Sequence, residues 1–474
     1  MNRRADHGTL VRFNMYRAKL NRRRAALCAG LFLTAFAMGG TAMAEESLAP
    51  GHHLLSTQAS ERATGGMGNK IVTIGERTHV VWQDVAKDGY WARVRTLDRR
   101  TGAWSETITL GKGVDNHARP CIAADADGYL HVVIGGHNTP FQYRRSVRPN
   151  DSSEWTKTVS FGKGTYPFVA CGPGNALYLT ARGTHNGVDL YSKEPEGKWT
   201  VRLPLLVKRE PQYQGYAGYN TILAWGPGQK RLHFACDVYE GHGTYERRGE
   251  NQLVVYLASD DFGRTWKKAD GSPIEGERYP KNLDVIAVSS RKREQKMPAP
   301  VLRLGGLVVD TQDRPSVLYA SDEPERGRGR VVTPAQGGGW DDLGLAVALD
   351  AHAPGWGVLG PRAAFSIAAD GLLQMCLPLA PLADFGAPGA PQIKPENVRY
   401  VWVETADGGK TWRFREPVPR GDGLQRHHPT LERPTGGNSV PAGRTAAMMY
   451  FEGLQRYAEK DEVIQNRLYF VEVR

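Results

Sequence analysis

Residues 115–138 read DNHARPCIAADADGYLHVVIGGHN and hold three of the chain's thirteen histidines. Cys121–Ala124 and Leu130–Ile134 are apolar runs of strand length, and Asp125-Ala-Asp-Gly128 between them is a turn in which Gly supplies positive φ and Asp caps the backbone. The stretch is therefore a β-hairpin, with His117 at its start, His131 in its second strand and His137 at its end. The fold depends on whether this unit recurs.

It does. A strand, a turn rich in Asp, Gly or Pro and a second apolar strand return as KIVTIGERTHVVWQD from Lys70, FVACGPGNALYLTARG from Phe168, ILAWGPGQKRLHFACD from Ile222 and LVVDTQDRPSVLYASD from Leu307. They return again as FSIAADGLLQMCLPL from Phe365 and, degenerately, as TLERPTGGNSVPAGRTAAMMYFEG from Thr430. Tryptophans follow polar turns at Trp104, Trp155, Trp199, Trp266, Trp340 and Trp412. Two of these complete the Asp-box pattern S/T-x-D-x-G-x-T-W, Ser259 to Trp266 and Thr405 to Trp412, whose side chains hydrogen-bond a tight turn and carry no chemistry. Helical periodicity is nearly absent, and 55 Gly and 29 Pro punctuate short strands throughout. The pattern predicts an all-β chain, a seven-bladed β-propeller with Asp-box turns, occupying residues 45–474 as one domain. The strand from Asn466 to Arg474 is expected to complete the last blade or close the ring. The stretches from Ser289 to Pro298 and from Pro378 to Pro395 read as loops.

Residues 1–44 read as a secretory signal peptide: Arg22, Arg23 and Arg24, a short apolar run from Ala25 to Met38, and Ala42-Met43-Ala44 as an A-x-A cleavage site. A secreted or periplasmic protein is expected, and the paired arginines also admit a twin-arginine signal. No run reaches the roughly 20 apolar residues of a spanning helix, so no membrane anchor is expected. The net charge of +11 is largely the leader's. Without its eight basic residues and Asp6, 53 basic and 49 acidic side chains remain, a balance that gives no argument for nucleic acid. Cys121, Cys171, Cys236 and Cys376 sit in or beside apolar runs without CxxC spacing and read as buried small hydrophobes.

In antiparallel hairpins the residue entering the first strand and the one leaving the second lie at the same end. His117 and His137 should therefore meet at one rim, while His131, like His79 and His233, falls mid-strand and should pack. The same rim collects Tyr166, Tyr219, His427 and His428 from entering strands and Arg182, Asp237 and Tyr239 from leaving ones. The loop from Arg209 adds Tyr213 and Tyr216. Histidine, tyrosine and arginine without a carboxylate pair suit proton abstraction beside a carboxylate: arginine neutralises a uronate, a neutral His takes the C5 proton, and a Tyr or second His protonates the departing O4. Glycoside hydrolysis would want two Asp/Glu across the bond.

The motifs D-N-H-x-x-P, D-x-D-G-Y-x-H-V and G-G-H-N, with Tyr143-Arg-Arg-Ser146, TYPFVA and the Arg182 strand end, resemble the BNR-4 group of secreted propellers. That group includes the ulvan lyases of polysaccharide lyase families 24 and 25. The likeness covers residues 65 to 270 and extends beyond them by repeat logic. It implies β-elimination on a sulfated, uronate-containing polysaccharide, with His117 as base and His137 as its companion. Arg209 or Arg182 would neutralise the carboxylate, Tyr216, Tyr219 or Tyr239 would be the acid, and Asn116, Tyr166, Tyr213, Tyr239 and His428 would line the substrate. No cofactor is required. The group can carry a structural divalent metal, but no ligand set for one stands out here. The partner is an anionic polysaccharide and the protein a monomer. Two alternatives remain open: a non-catalytic carbohydrate-binding propeller, and a sialidase-like hydrolase, which would need an arginine triad and a Tyr/Glu pair.

Overall fold

The computed structural model describes residues 48–241, 251–289, 302–321, 329–359, 364–384, 397–418, 426–454 and 464–473. The leader at 1–44 lies outside them, as do most of the two stretches read as loops. Among the described residues the chain is strand joined by turns, with one α-helix, Leu345–His352, and no helix long and apolar enough to cross a membrane.

Each of the seven repeated units is an antiparallel strand pair. The hairpin of the quoted stretch shows why. Pro120–Ala124 and Leu130–Ile134 are buried along their whole lengths, with Cys121 opposite Val133 and Ala123 opposite His131. Asp125 closes the turn: its Oδ1 accepts the Tyr129 N–H at 2.8 Å, and Gly128 takes φ 86°. A strand buried on both faces reads as a continuous apolar run, because neighbouring hairpins cover it. Val72 and Val81 of one unit pack with Ile122, Val132 and Ile134 of the next in a single core cluster. Each such side chain contributes about 1.5–3 kcal/mol by leaving water.

The strands form five antiparallel ladders of nine, seven, five, four and five strands. The chain's ends share the first. His52–Ala59 pairs with the final strand Asn466–Val471, His52 opposite Val471 and His53 opposite Phe470, and that strand pairs in turn with Met448–Glu452. The final strand therefore completes the last hairpin's sheet, and the first strand adds to its edge.

In the turn from Ser259, Asp261 Oδ1 accepts the Thr265 N–H at 2.8 Å, Oδ2 accepts the Thr265 hydroxyl at 2.7 Å, and the Gly263 N–H, at φ 87°, donates to Ser259 Oγ at 2.7 Å. Asp407 binds Thr411 in the same way. His79, His131 and His233 are packed, each bonded on both ring nitrogens: Thr96 and Asn150, Tyr143 and Asp125, Tyr256 and Asp313. All four described cysteines are buried free thiols. One boundary is corrected. Residues 378–381, expected as loop, belong to the strand Leu373–Pro381, where Pro378 lies opposite Tyr400 and its carbonyl still accepts the Leu359 N–H at 2.8 Å. Proline forfeits only its donor, and the pairing survives through its acceptor.

Candidate active site

The chain leaves the strand Ile108–Gly113 and bends at Asp115, whose carboxylate sets the geometry that follows. Its Oδ1 accepts the His117 backbone N–H at 2.7 Å and lies 3.1 Å from His117 Nδ1, while Oδ2 lies 2.6 Å from His137 Nδ1. The two imidazoles stack with centroids 3.9 Å apart and planes 22° from parallel. Burial works against the Asp115 charge, but the hydrogen bonds from His117 and His137 outweigh it and hold the carboxyl far below its ordinary range. An ionised carboxylate only accepts. Each Nδ1 must therefore carry its proton, and in a neutral ring the basic atom is Nε2. Burial also lowers His117, against the opposing pull of Asp115, which keeps the ring neutral near pH 7.

Asp115, His117 and His137 also offer three metal-ligand atoms within 4.8 Å of one another. The stacking argues against a shared ion. A ring nitrogen's lone pair lies in the ring plane, and two nearly parallel planes cannot both aim at one metal unless a ring turns.

Tyr166 lies within the strand Val159–Cys171, at a shift of register between Thr165 and Phe168, with φ 58°, a left-handed conformation that disfavours a side chain by about 1–2 kcal/mol, and its ring centre stands 5.7 Å from that of His117. Strand pairing brings its neighbour Thr165 opposite Arg182 and sets Tyr216 opposite Tyr239, while the Tyr219 N–H donates to the Asp237 carbonyl at 2.8 Å. The Arg182 guanidinium lies 4.9 Å from the Tyr166 ring centre, 4.2 Å from Tyr216 and 5.0 Å from Tyr219. Arg119 covers Tyr166 at 4.8 Å, and Arg303 lies 4.8 Å from Tyr219 and 4.6 Å from Tyr239. The hydroxyls of Tyr166 and Tyr219 are 3.5 Å apart, and this separates them as acids. Burial raises Tyr166 well above an ordinary phenol. Burial also works to raise Tyr219, but the hydrogen bond with Tyr166 and the Arg303, Arg182 and Arg62 cations prevail and bring it below its usual value.

His117, His137, Tyr166, Arg182, Tyr216, Tyr219 and Tyr239 thus come together as their places in the hairpins predict. Others do not. Asn116 is fully buried and donates to Glu61 Oε1 at 2.5 Å, so it braces the bend instead of facing a ligand. No hydrogen bond, ion pair or ring contact among the described residues joins Arg209 to the cluster, because its loop turns away through Glu210, whose N–H donates to Glu240. Tyr213 closes a turn on the Glu210 carbonyl beside Lys281. His427 is buried and its Nε2 lies 3.0 Å from the Gly453 carbonyl. His428 accepts the Thr64 hydroxyl on its carbonyl and stands across Gly65 from Arg119. A Cβ on Gly65 would meet Arg119 Nη1 at 2.6 Å and His428 Cγ at 3.6 Å. Asp115, Arg119 and Arg303 are the members not anticipated. Asp115 and Arg119 each stand two residues from His117 in the chain, whereas Arg303 has no such local signal.

Asp237 is fully buried. It accepts from the Asn220 backbone and side chain at 2.7 and 3.0 Å and stands 3.8 Å from Arg303. Burial raises its carboxyl, opposed by Arg303. Asp115 is shared by two histidines and Asp237 lies beneath an arginine, so neither serves as half of a hydrolase pair.

Curated relatives include a PL25 ulvan lyase from Pseudoalteromonas sp. (strain PLSV), 25% identical over 255 residues that make up 45% of this chain and 52% of that protein. An ulvan lyase from Nonlabens ulvanivorans is 25% identical over 263 residues, 46% and 55% of the two chains. The match thus spans about half the length of these relatives. Among solved structures, a PL25 ulvan lyase covers 88% of this chain and 96% of its own at a TM-score of 0.62 and 15% identity. The same lyase bound to -[GlcA(1-4)Rha3S]- also gives 0.62, at 14% identity. These structural likenesses show a shared fold. Residues 70–346, more than half the chain, match the BNR_4 family, described as BNR repeat-containing family members, and the chain belongs to that family.

Proposed function

We propose that this protein is an exported, monomeric polysaccharide lyase, built as a seven-bladed β-propeller, that cleaves a sulfated, uronate-containing polysaccharide of the ulvan kind by β-elimination. The blade count follows from the hairpins: the nine- and seven-stranded ladders hold two each and the other three one each. The pairing of first and last strands would be the closure of the ring. The ulvan lyases among the relatives support the substrate class.

The observation that carries the chemistry is one carboxylate holding two stacked histidines against a tyrosine pair inside an arginine cluster. Arg182 neutralises the uronate. No carboxylate pairs with it among the described residues, whereas Arg303 already has Asp237. Neutralisation stabilises the charge that develops as His117 Nε2 removes the C5 proton. The electron pair forms the C4–C5 double bond, the C4–O4 bond breaks, and the Tyr219 hydroxyl gives its proton to O4. The tyrosinate left behind is stabilised by Arg182 and Arg303, which is why a depressed phenol suits this position. His137 shares the carboxylate that fixes the base and acts as a positioning residue.

The test is incubation with ulvan and a panel of other uronate polymers while near-ultraviolet absorbance of the unsaturated product is recorded. Absorbance should rise and the rise should vanish in His117→Ala and Tyr219→Phe. Tight binding with no rise on any polymer would replace this reading with that of a carbohydrate-binding module. Export is tested by recovering the protein from medium and periplasm and sequencing its N-terminus, which should begin at Glu45.

A further inference from the structure

Positive charge extends from the histidine rim into the interior, where among the described residues no carboxylate acts on Lys70 or Arg433. Lys70 is fully buried, its Nζ donates to the Pro120 carbonyl at 2.5 Å, and burial brings it down to about 7, with the Arg119 and Arg433 cations pressing the same way. Arg433 is 6% exposed. Its guanidinium lies 5.4 Å from the Phe168 ring centre, Nη2 donates to the Met67 carbonyl, and Nε is buried without a partner. Burial alone lowers it to about 10, and no carboxylate figures among the groups acting on it. An uncompensated buried cation is destabilising.

Arg433 lines a cavity of about 180 Å³ walled by Phe168, Ile222, Leu307 and Ile367. Trp225 lines it too. No Asp or Glu lines the space. The cavity lies at the turn end of the inner hairpins. Residues 223–229 lead into the turn of the pair whose open end holds Tyr219 and Asp237, so the cavity is separated from the histidine–tyrosine cluster by the length of the strand Thr221–Trp225. At about 30 Å³ per water it has room for roughly six waters, enough for a small ion and too little for a disaccharide.

We propose that this cavity is a binding site for a small inorganic oxyanion of the sulfate or phosphate class, held by the guanidinium of Arg433. A tetrahedral oxyanion brings the charge that Arg433 lacks, and the apolar walls strengthen the pairing by excluding water. The arginines of the rim could also attract sulfate, so the experiment must tell the two places apart.

The experiment is calorimetric titration of the full chain with sodium sulfate, and separately with phosphate, at ionic strength held constant with sodium chloride. Saturable one-to-one binding is expected, unchanged in Arg182→Met, lost in Arg433→Met and weakened about tenfold in Arg433→Lys, which keeps the charge but not the planar fork. Should Arg433→Met fail to fold, the Lys variant carries the comparison. The proposal is overturned if the wild type shows no saturable binding up to about 50 mM. It is equally overturned if binding is lost in Arg182→Met and kept in the Arg433 variants. Because the readout is ion binding, failure here leaves the lyase reading standing, and absence of lyase activity leaves this site standing.

Discussion

Asp115→Asn tests the core of the site with the smallest change in shape. The carboxylate accepts three hydrogen bonds, from the His117 backbone N–H and from both Nδ1 atoms. An Asn keeps one acceptor oxygen, which can retain the backbone bond and His117 Nδ1, but its amide nitrogen then faces His137 Nδ1 donor to donor. His137 must move its proton to Nε2 or turn away, and the stack that buttresses the base loosens. A hydrogen bond to a charged group contributes about 1.5–3 kcal/mol and a neutral one about 1, so losing one and weakening another removes about 2–4 kcal/mol. If that support is needed in the transition state, kcat falls by about 30- to 1000-fold with KM little changed. The pH profile gives a second, independent sign. Burial lowers His117 and the Asp115 charge opposes it, so removing the charge lowers His117 further. The acid limb of kcat/KM should move to lower pH even as the plateau drops. Initial rates of unsaturated-uronate formation from pH 4 to 9 measure both. A kcat within about threefold of wild type, or an acid limb that moves up, would refute the assignment of Asp115 as the group that fixes the base.

Tyr219→Phe should lower kcat by about 10²- to 10⁴-fold and Tyr166→Phe distinctly less, because only Tyr219 is the depressed phenol; equal losses would contradict the division of roles. Asp237→Ala leaves Arg303 buried without its counter-charge and should cost about 3–5 kcal/mol of stability, read as a lower urea midpoint. Asp261→Ala removes bonds to Arg264, Thr265 and Ser259 at a turn remote from the tyrosines and should cost about 1–3 kcal/mol while kcat is unchanged. His79, buried and held near pKa 4, stays neutral in the fold, whereas its unfolded counterpart takes a proton below about 6.5. Its share of stability is complete above that value and is lost as pH falls toward 4. The gap amounts to about 3 kcal/mol. His79→Gln should therefore narrow the difference between urea midpoints at pH 7 and pH 4.5; an unchanged difference would assign the acid sensitivity to other groups.

What was legible in the chain and what was not divide along a physical line. Hairpin formation is local: continuous apolar runs, Asp- and Gly-bearing turns and the two-residue strand period lie within some twenty residues, and they suffice to bring His117 against His137 and Tyr166 beside Arg182. Contacts across units have no such signal. Arg303 reaches Tyr219 and Tyr239 from a different ladder, and nothing in its own surroundings, Val301-Leu-Arg-Leu-Gly305, marks it as other than a charge on a strand. Arg209 has the opposite history: Tyr216 and Tyr219, farther along its loop, do reach the site, but Arg209 and Tyr213 before them do not. Asp115 shows the intermediate case, local to His117 by its turn and bound to His137 only through the hairpin's return. The same division explains the electrostatics. Asp115 and Asp237 are each neutralised by partners that the local chain or the adjacent sheet supplies. Among the described residues no carboxylate acts on Lys70 or Arg433, and the acid that acts on Arg119 is Asp115, already shared by two histidines; the complement of the inner pair is the anion proposed to come from solution.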